Sequence, residues 1–167
     1  MIALFGVPEA DFHACVLTEA EKFCHQRLTQ AHPDRQFISM LNNYRGNGGL
    51  ARADEVLQLG GYGAGLDVAT LARWIVERDV ISFEWREQTW LPLFQFDRPS
   101  MSIRRELKAV LNELQGVYDP WELAEWFARL NSSLEGCSPA DVIHSERAGH
   151  LSAVLQTARI DRFAAQG

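Results

Sequence analysis

Apolar residues recur every three or four positions along most of this chain, and this spacing restricts its fold more than any other feature. Such spacing gathers the apolar side chains on one side of an α-helix. One stretch departs from it, because Ile81, Phe83 and Trp85 alternate with polar residues, which is the period of a β-strand. A second apolar run follows a polar turn near residues 86–88. The sequence therefore predicts a mainly α protein with one β-hairpin.

The glycine-rich stretch from Gly46 to Gly49 interrupts the helical pattern and divides the chain. We expect a helical segment over residues 1–48, with an amphipathic helix from Pro8 to Ala31 and a second short helix before the glycines. A module of two helices and the hairpin is expected over residues 49–97. A helical domain is expected over residues 98–167.

Within the module over residues 49–97, two helices are expected to precede the hairpin. The first is predicted from Leu50 to Leu59, and the glycines between residues 60 and 65 end it. Asp67 is placed to cap the second helix. Pro92 lies in the second strand of the hairpin and has no amide hydrogen to donate, so we expect the strand to be an edge at that residue.

Signals for the start of a helix recur in the last third of the chain. A helix is predicted from Ser102 to Leu114. Asp119-Pro120-Trp121-Glu122 then combines an N-cap, a proline suited to the first turn and the glutamate of a capping box. Ser138-Pro139-Ala140-Asp141 repeats this signal, and Ser145 is predicted to open the last helix.

Composition and charge favour a protein partner over nucleic acid. The chain has 167 residues and a net charge of −6. Residues 49–97 contain four basic and eight acidic side chains, so even the helix–helix–hairpin module lacks the basic excess that phosphate binding requires. The five tryptophans suit a well-packed core or the anchors of an interface.

The cysteines and histidines do not predict a metal site, a cofactor or catalysis. Three cysteines without the spacing of metal ligands are typical of a reducing compartment, so we expect a cytoplasmic protein. His13 and Cys24 lie on one predicted helix but are separated by roughly 16 Å, too far for one metal ion. No nucleophile-elbow pattern is present. No stretch reaches the roughly 20 apolar residues of a membrane span.

The C-terminal segment contains a recognisable series of short motifs in a fixed order. In chain order these are Asp119-Pro120-Trp121, Trp126-Phe127, Asn131, Leu134-Glu135-Gly136 and Pro139-Ala140-Asp141, followed by an apolar helix. With this order and spacing, residues 119–163 resemble the toxin-binding domain of the Xre/MbcA/ParS antitoxin family. The chain departs from the family at Leu130, where family members commonly have proline before the asparagine.

The resemblance implies a non-enzymatic domain that binds a protein toxin, often one that consumes NAD, and shields its active site. The candidate toxin-binding residues are Trp121, Trp126, Asn131, Arg159, Asp161, Arg162 and Phe163. The helical spacing of the aromatic residues favours a core position for Trp121 and Trp126 over a contact with the partner. Asn131 is predicted to cap the end of its helix or to adopt a left-handed conformation, and Gly136 to have a positive φ.

The order of helix, turn, helix and hairpin over residues 49–97 resembles a winged helix-turn-helix, as in the excisionase and MerR-like groups. This implies operator DNA as a second partner, read by a helix whose polar face contains Glu77 besides the basic candidates. The candidate DNA-binding residues are Thr70, Arg73, Arg78, Arg104 and Arg105. The alternative is that the module serves packing or dimerisation.

Taken together, these patterns predict an antitoxin-like protein that neutralises a toxin and forms a homodimer. Operator binding by the module over residues 49–97 would add regulation of its own transcription. Two alternatives stay open. One is a DNA-binding transcriptional regulator without a toxin, and the other is a homo-oligomeric scaffold protein.

Overall fold

The computed structural model describes residues 34–61, 65–98, 100–145 and 150–166. Residues from Gln36 onward belong to one compact unit, and the following description concerns that unit. The predicted helix from Pro8 to Ala31, with its histidines and cysteines, lies outside the described residues. Within them the protein is mainly helical with two small antiparallel sheets, which confirms the predicted fold class.

The first half of the unit alternates helices with short strands. Its elements are the part of α1 in this unit (residues 36–44), a 3-10 turn (Arg45–Asn47), β1 (Leu50–Arg52), α2 (Ala53–Gly61), α3 (Val68–Val76), β2 (Phe83–Trp85), β3 (Gln88–Pro92), a second 3-10 turn (Leu93–Gln95) and β4 (Phe96–Asp97). The second half is helical after one short strand. Its elements are β5 (Ser102–Ile103), α4 (Arg105–Leu114), α5 (Pro120–Ala128), a third 3-10 turn (Ser132–Leu134), α6 (Pro139–His144) and α7 (His150–Gln166).

The predicted hairpin is confirmed as strands β2 and β3. Phe83 lies opposite Trp90, and Trp85 lies opposite Gln88. The two residues between the strands, Arg86 and Glu87, have φ angles of 49° and 59°. Two consecutive left-handed residues form the type I′ turn, whose twist matches that of the flanking strands.

The prediction that the strand is an edge at Pro92 is confirmed on one side of that residue, although most of the strand is central. Strand β3 lies in the centre of the sheet, between β1 and β2. The two neighbours pair with different parts of it: β2 extends no further than Trp90, whereas β1 brings Leu50 opposite Pro92. Because no β2 residue lies opposite Pro92, its missing amide costs no bond to that strand.

Two predicted helices begin later than expected, because strands occupy their first residues. Leu50–Arg52 forms β1, and the backbone amide of Arg52 donates to Glu55 at 2.8 Å where α2 begins. Ser102–Ile103 forms β5 and pairs with β4, so α4 begins at Arg105. Pairing with a distant strand outweighs the local helical spacing at both sites.

The predicted N-caps are confirmed. The carboxylate of Asp67 accepts the backbone amide of Thr70 at 2.7 Å. Asp119 with Glu122, and Ser138 with Asp141, form complete capping boxes at the starts of α5 and α6. Each cap satisfies backbone amides that the helix leaves without partners.

The turns around α6 differ from the prediction at two residues. Asn131 is extended, with a φ of −127°, and its side chain begins the 3-10 turn by accepting the amide of Ser133 at 2.8 Å. It therefore neither ends α5 nor adopts a left-handed conformation. Gly136 has a φ of 78°, as predicted. Ser145 ends α6, with its amide donating to the carbonyl of Asp141. The start of the last helix, predicted at Ser145, involves residues 146–149, which lie outside the described residues.

The sheet separates two hydrophobic cores. The larger core joins α1, the hairpin and α4–α7, and its centre includes Tyr44, Phe94 and Phe127. The smaller core lies under α2 and α3 and includes Val56, Leu71 and Phe96. Because the hairpin contributes to the larger core, α1 and the C-terminal helices are packed on one shared scaffold.

Two buried polar side chains connect distant parts of the scaffold. Gln95 is fully buried and holds Ile81 at both backbone groups: its Oε1 accepts the amide at 2.7 Å, and its Nε2 donates to the carbonyl at 2.9 Å. The hydroxyl of Tyr44 donates to the carbonyl of Ala124 at 2.6 Å. Burial raises the pKa of Tyr44 well above its ordinary value of 10.0, so this hydroxyl keeps its proton.

Candidate protein-binding surface

The last helix, α7, has a buried side and an exposed apolar side. Val154 and Ala158 are fully buried where α7 packs on α4 and α6. On the opposite side, Ile160 is 57% exposed and Phe163 is 68% exposed, with Ala164 beside them. Large apolar side chains that solvent reaches one helical turn apart are typical of contact surfaces. We call Ile160, Phe163 and Ala164 the α7 patch.

A hydrogen bond between side chains ties α7 to α5 beside the patch. The indole Nε1 of Trp126 donates to a carboxylate oxygen of Asp161 at 2.7 Å. Trp126 is otherwise buried, and its ring meets Phe127 edge to face at 4.9 Å. A buried indole N–H needs such a partner, and this bond joins α5 to α7 at one point.

An ion-pair cluster ties α7 to α4. The carboxylate of Glu113 accepts a hydrogen bond from the guanidinium of Arg159 at 2.9 Å and forms an ion pair with the guanidinium of Arg162 at 2.5 Å. The hydrogen bond from Arg159, with the positive charges of both arginines, lowers the pKa of Glu113. The guanidinium of Arg162 also lies over the ring of Phe163 at 5.3 Å. The cluster therefore holds the edge of the α7 patch in a defined position.

We expect the Glu113→Gln variant to be less stable than the original protein at neutral pH and equally stable in acid. The folded pKa of Glu113 lies below its ordinary value of 4.5, so its stabilising effect is complete above that value. As the pH falls through the folded pKa, the carboxylate gains a proton and the effect is lost. Urea unfolding of both proteins between about pH 3 and about pH 7 measures the difference.

Asn112→Ala is the matched control for this pH series. Asn112 lies beside Glu113 on the same helix, is exposed, and has no ionisable group. Its replacement is expected to leave the pH dependence of unfolding unchanged. A Glu113→Gln variant whose stability difference stayed constant across the pH range would contradict the role assigned to this carboxylate.

The seven candidate toxin-binding residues do not all lie together. Five lie on α7 or bond to it, namely Trp126, Arg159, Asp161, Arg162 and Phe163. Trp121 lies elsewhere: its indole donates to Glu125 at 3.0 Å, and its ring meets Phe83 at 5.0 Å. Asn131 is engaged in the turn before α6.

Sequence reasoning missed two residues of this surface. Ile160 falls outside the buried stripe of the last helix, and its exposed position could have been recognised from that pattern alone. Glu113 gave no such signal, because 46 residues separate it from Arg159 in the chain. Only tertiary packing brings α4 and α7 together.

The candidate DNA-binding residues lie in three different settings. Arg73 is exposed on α3, and Arg105 is exposed at the first position of α4. Arg78 packs inward, where its guanidinium donates to the carbonyls of Gln115 at 3.3 Å and Tyr118 at 3.5 Å. The remaining two, Thr70 and Arg104, are half-buried.

The fold and this surface define a class: a mainly α protein with small antiparallel sheets that presents an anchored helix with an apolar outer patch. Comparison of the chain with protein-family models, with curated proteins and with solved structures finds no match. In the part of the chain that the structure describes, no group of histidine, cysteine and acidic side chains could hold a metal ion. No helix among the described residues is long and apolar enough to cross a membrane.

Proposed function

We propose that this chain is an antitoxin-like protein of the cytoplasm whose α7 patch binds and neutralises a protein toxin. The observation that carries the proposal is the exposure of Ile160 and Phe163 on a helix that is held from both sides. Trp126 holds it through Asp161, and Glu113 holds it through two arginines. A patch on a fixed helix loses little conformational entropy when a partner covers it.

The chemistry of the patch suits a folded polypeptide. Burying Ile160 and Phe163 against a partner contributes roughly 1.5 to 3 kcal/mol for each side chain before the costs of association. The exposed charge of Arg159 lies at the rim, where it can select a partner of opposite charge. An aromatic centre with a charged rim is the usual arrangement of a protein interface.

The class of partner comes from the resemblance of residues 119–163 to antitoxins that bind toxins, many of them NAD-consuming. The capping boxes that begin α5 and α6 support the helical part of that resemblance. The α7 patch lies on the helix that follows the resembling motifs. These features support a toxin as the partner.

Replacing Ile160 with aspartate is expected to weaken binding of the toxin at least tenfold. The new carboxylate would have to lose its hydration in the interface, which costs more than the lost apolar contact alone. The test co-expresses the full chain with the protein encoded by each neighbouring gene. Co-purification then identifies the partner, and titration calorimetry measures the affinity of both chains for it.

Leu59→Asp is the matched control, since Leu59 is 53% exposed on α2, close to the exposure of Ile160. This variant should bind the toxin as tightly as the unchanged chain. If no neighbouring protein forms a complex, or if both variants bind equally well, α7 is not the contact surface.

Operator DNA is a second candidate partner, favoured by the order of α2, α3 and the hairpin, which is that of a winged helix-turn-helix. The chemistry of α3 argues against it. Its outer side presents Val68, Ala72 and Val76, with Arg73 as the exposed basic residue. Contacts with phosphate oxygens require several such groups. A homodimer with α3 at its interface agrees better with this surface.

A further inference from the structure

Helix α3 has an exposed apolar stripe that the toxin-binding proposal does not use. Val68 is 68% exposed and Val76 is 81% exposed, although both lie on a helix whose other side is buried in the smaller core. Ala69 and Ala72 are exposed between the two valines. Together these four residues form a strip along the whole outer side of the nine-residue helix, which we call the α3 strip.

Two charged residues border the α3 strip on the same flank. Arg73 lies within the helix, and Glu77 follows one turn later at its C-cap. Both side chains are exposed, and neither forms an ion pair with any of the residues that the structure describes. The strip therefore has a positive charge and a negative charge of equal size beside it, both of them available to a partner.

We propose that the C-terminal half of the α3 strip, Ala72 and Val76, is the interface of a homodimer in which two α3 helices pack antiparallel, with the two-fold axis at the level of residues 74 and 75 along the helix. A two-fold interface must be complementary to itself. In this arrangement Val76 of one copy lies against Ala72 of the other. Arg73 of each copy lies beside Glu77 of its partner, so the same two ion pairs form on either side of the axis.

The small side chain of Ala72 favours this occupant, because it allows two helices to approach closely. A single contact between short helices is smaller than the interfaces of permanent dimers. We therefore expect self-association with a Kd of about 10 to about 100 μM. The dimer interface and the α7 patch lie on different helices and have no residue in common.

The antiparallel arrangement is tested by reversing its charges. Arg73→Glu places two acidic residues opposite each other twice in the dimer, and Glu77→Arg does the same with two basic residues. Each single variant is expected to weaken self-association at least tenfold. The double variant R73E/E77R restores both ion pairs, so its Kd should return to within about threefold of the original. Sedimentation velocity over a range of concentrations measures all four proteins.

Mixing the two single variants gives the sharpest test. The Arg73→Glu chain has two acidic residues on its flank, and the Glu77→Arg chain has two basic ones, so the mixture should form a heterodimer that neither forms alone. Circular dichroism and thermal unfolding check that the exposed substitutions leave the fold intact.

A chain that stays monomeric at every concentration overturns the proposal. So does a dimer that tolerates both single variants, or a mixture that does not associate. If Arg73→Glu weakens binding to promoter DNA while the oligomeric state is unchanged, α3 contacts DNA and the proposal is equally wrong. Because Ile160→Asp should leave the dimer intact, failure of toxin binding and failure of dimerisation are distinguishable.

Discussion

Replacing Gln95 with leucine is expected to lower the free energy of unfolding by about 2 to 4 kcal/mol. Gln95 is the only described partner of two backbone groups, the buried amide and carbonyl of Ile81. Leucine has a similar volume and fills the same space, but it leaves both groups without a hydrogen bond. Each unsatisfied buried group costs about 1 to 3 kcal/mol, and the gain from burying an apolar side chain offsets part of that.

Denaturation in urea measures this effect, and Gln58→Leu is its control. Gln58 is exposed on α2, so its replacement should change stability by less than about 0.5 kcal/mol. Equal stability of the two variants would mean that the side chain of Gln95 does not hold Ile81. Slow hydrogen exchange at the Ile81 amide, lost in the Gln95→Leu variant, would support the assignment at the level of one bond.

Phe127→Ala is expected to destabilise the protein by about 3 to 5 kcal/mol. Phe127 is fully buried in the larger core, and its ring centroid lies 5.6 Å from that of Phe94 and 4.9 Å from that of Trp126. Removing the ring leaves a cavity that these neighbours cannot fill without moving. Since Trp126 donates to Asp161, we also expect α7 to become less firmly held.

Phe163→Ala is the informative comparison for Phe127→Ala, because the same side chain is removed from an exposed site. Its stability should stay within about 0.5 kcal/mol of the original, while its affinity for the toxin falls. Thermal or urea unfolding and calorimetric titration together separate the two roles. A large loss of stability in Phe163→Ala would place this ring in the core and remove it from the α7 patch.

Features that depend on neighbouring residues in the chain were predictable before the fold was known. Asp119 and Ser138 begin their helices as predicted, because a cap forms between residues three apart. The hairpin between β2 and β3 was equally predictable, since its alternation and its two-residue turn are local. On α7, Arg159, Arg162 and Phe163 could be chosen as candidates from the resemblance alone.

Features whose partners lie far along the chain depend on how the helices and strands pack together. Leu50 and Ser102 lie in strands because their segments pair with β3 and β4 through backbone hydrogen bonds. The ion pair of Glu113 with Arg159, and the hydrogen bond of Gln95 with Ile81, form only when the helices and strands pack together. Helical spacing and capping depend on a few neighbouring residues. A strand-pairing hydrogen bond, an ion pair or a buried side-chain hydrogen bond needs a partner from a distant part of the chain, and the packing of the fold supplies that partner.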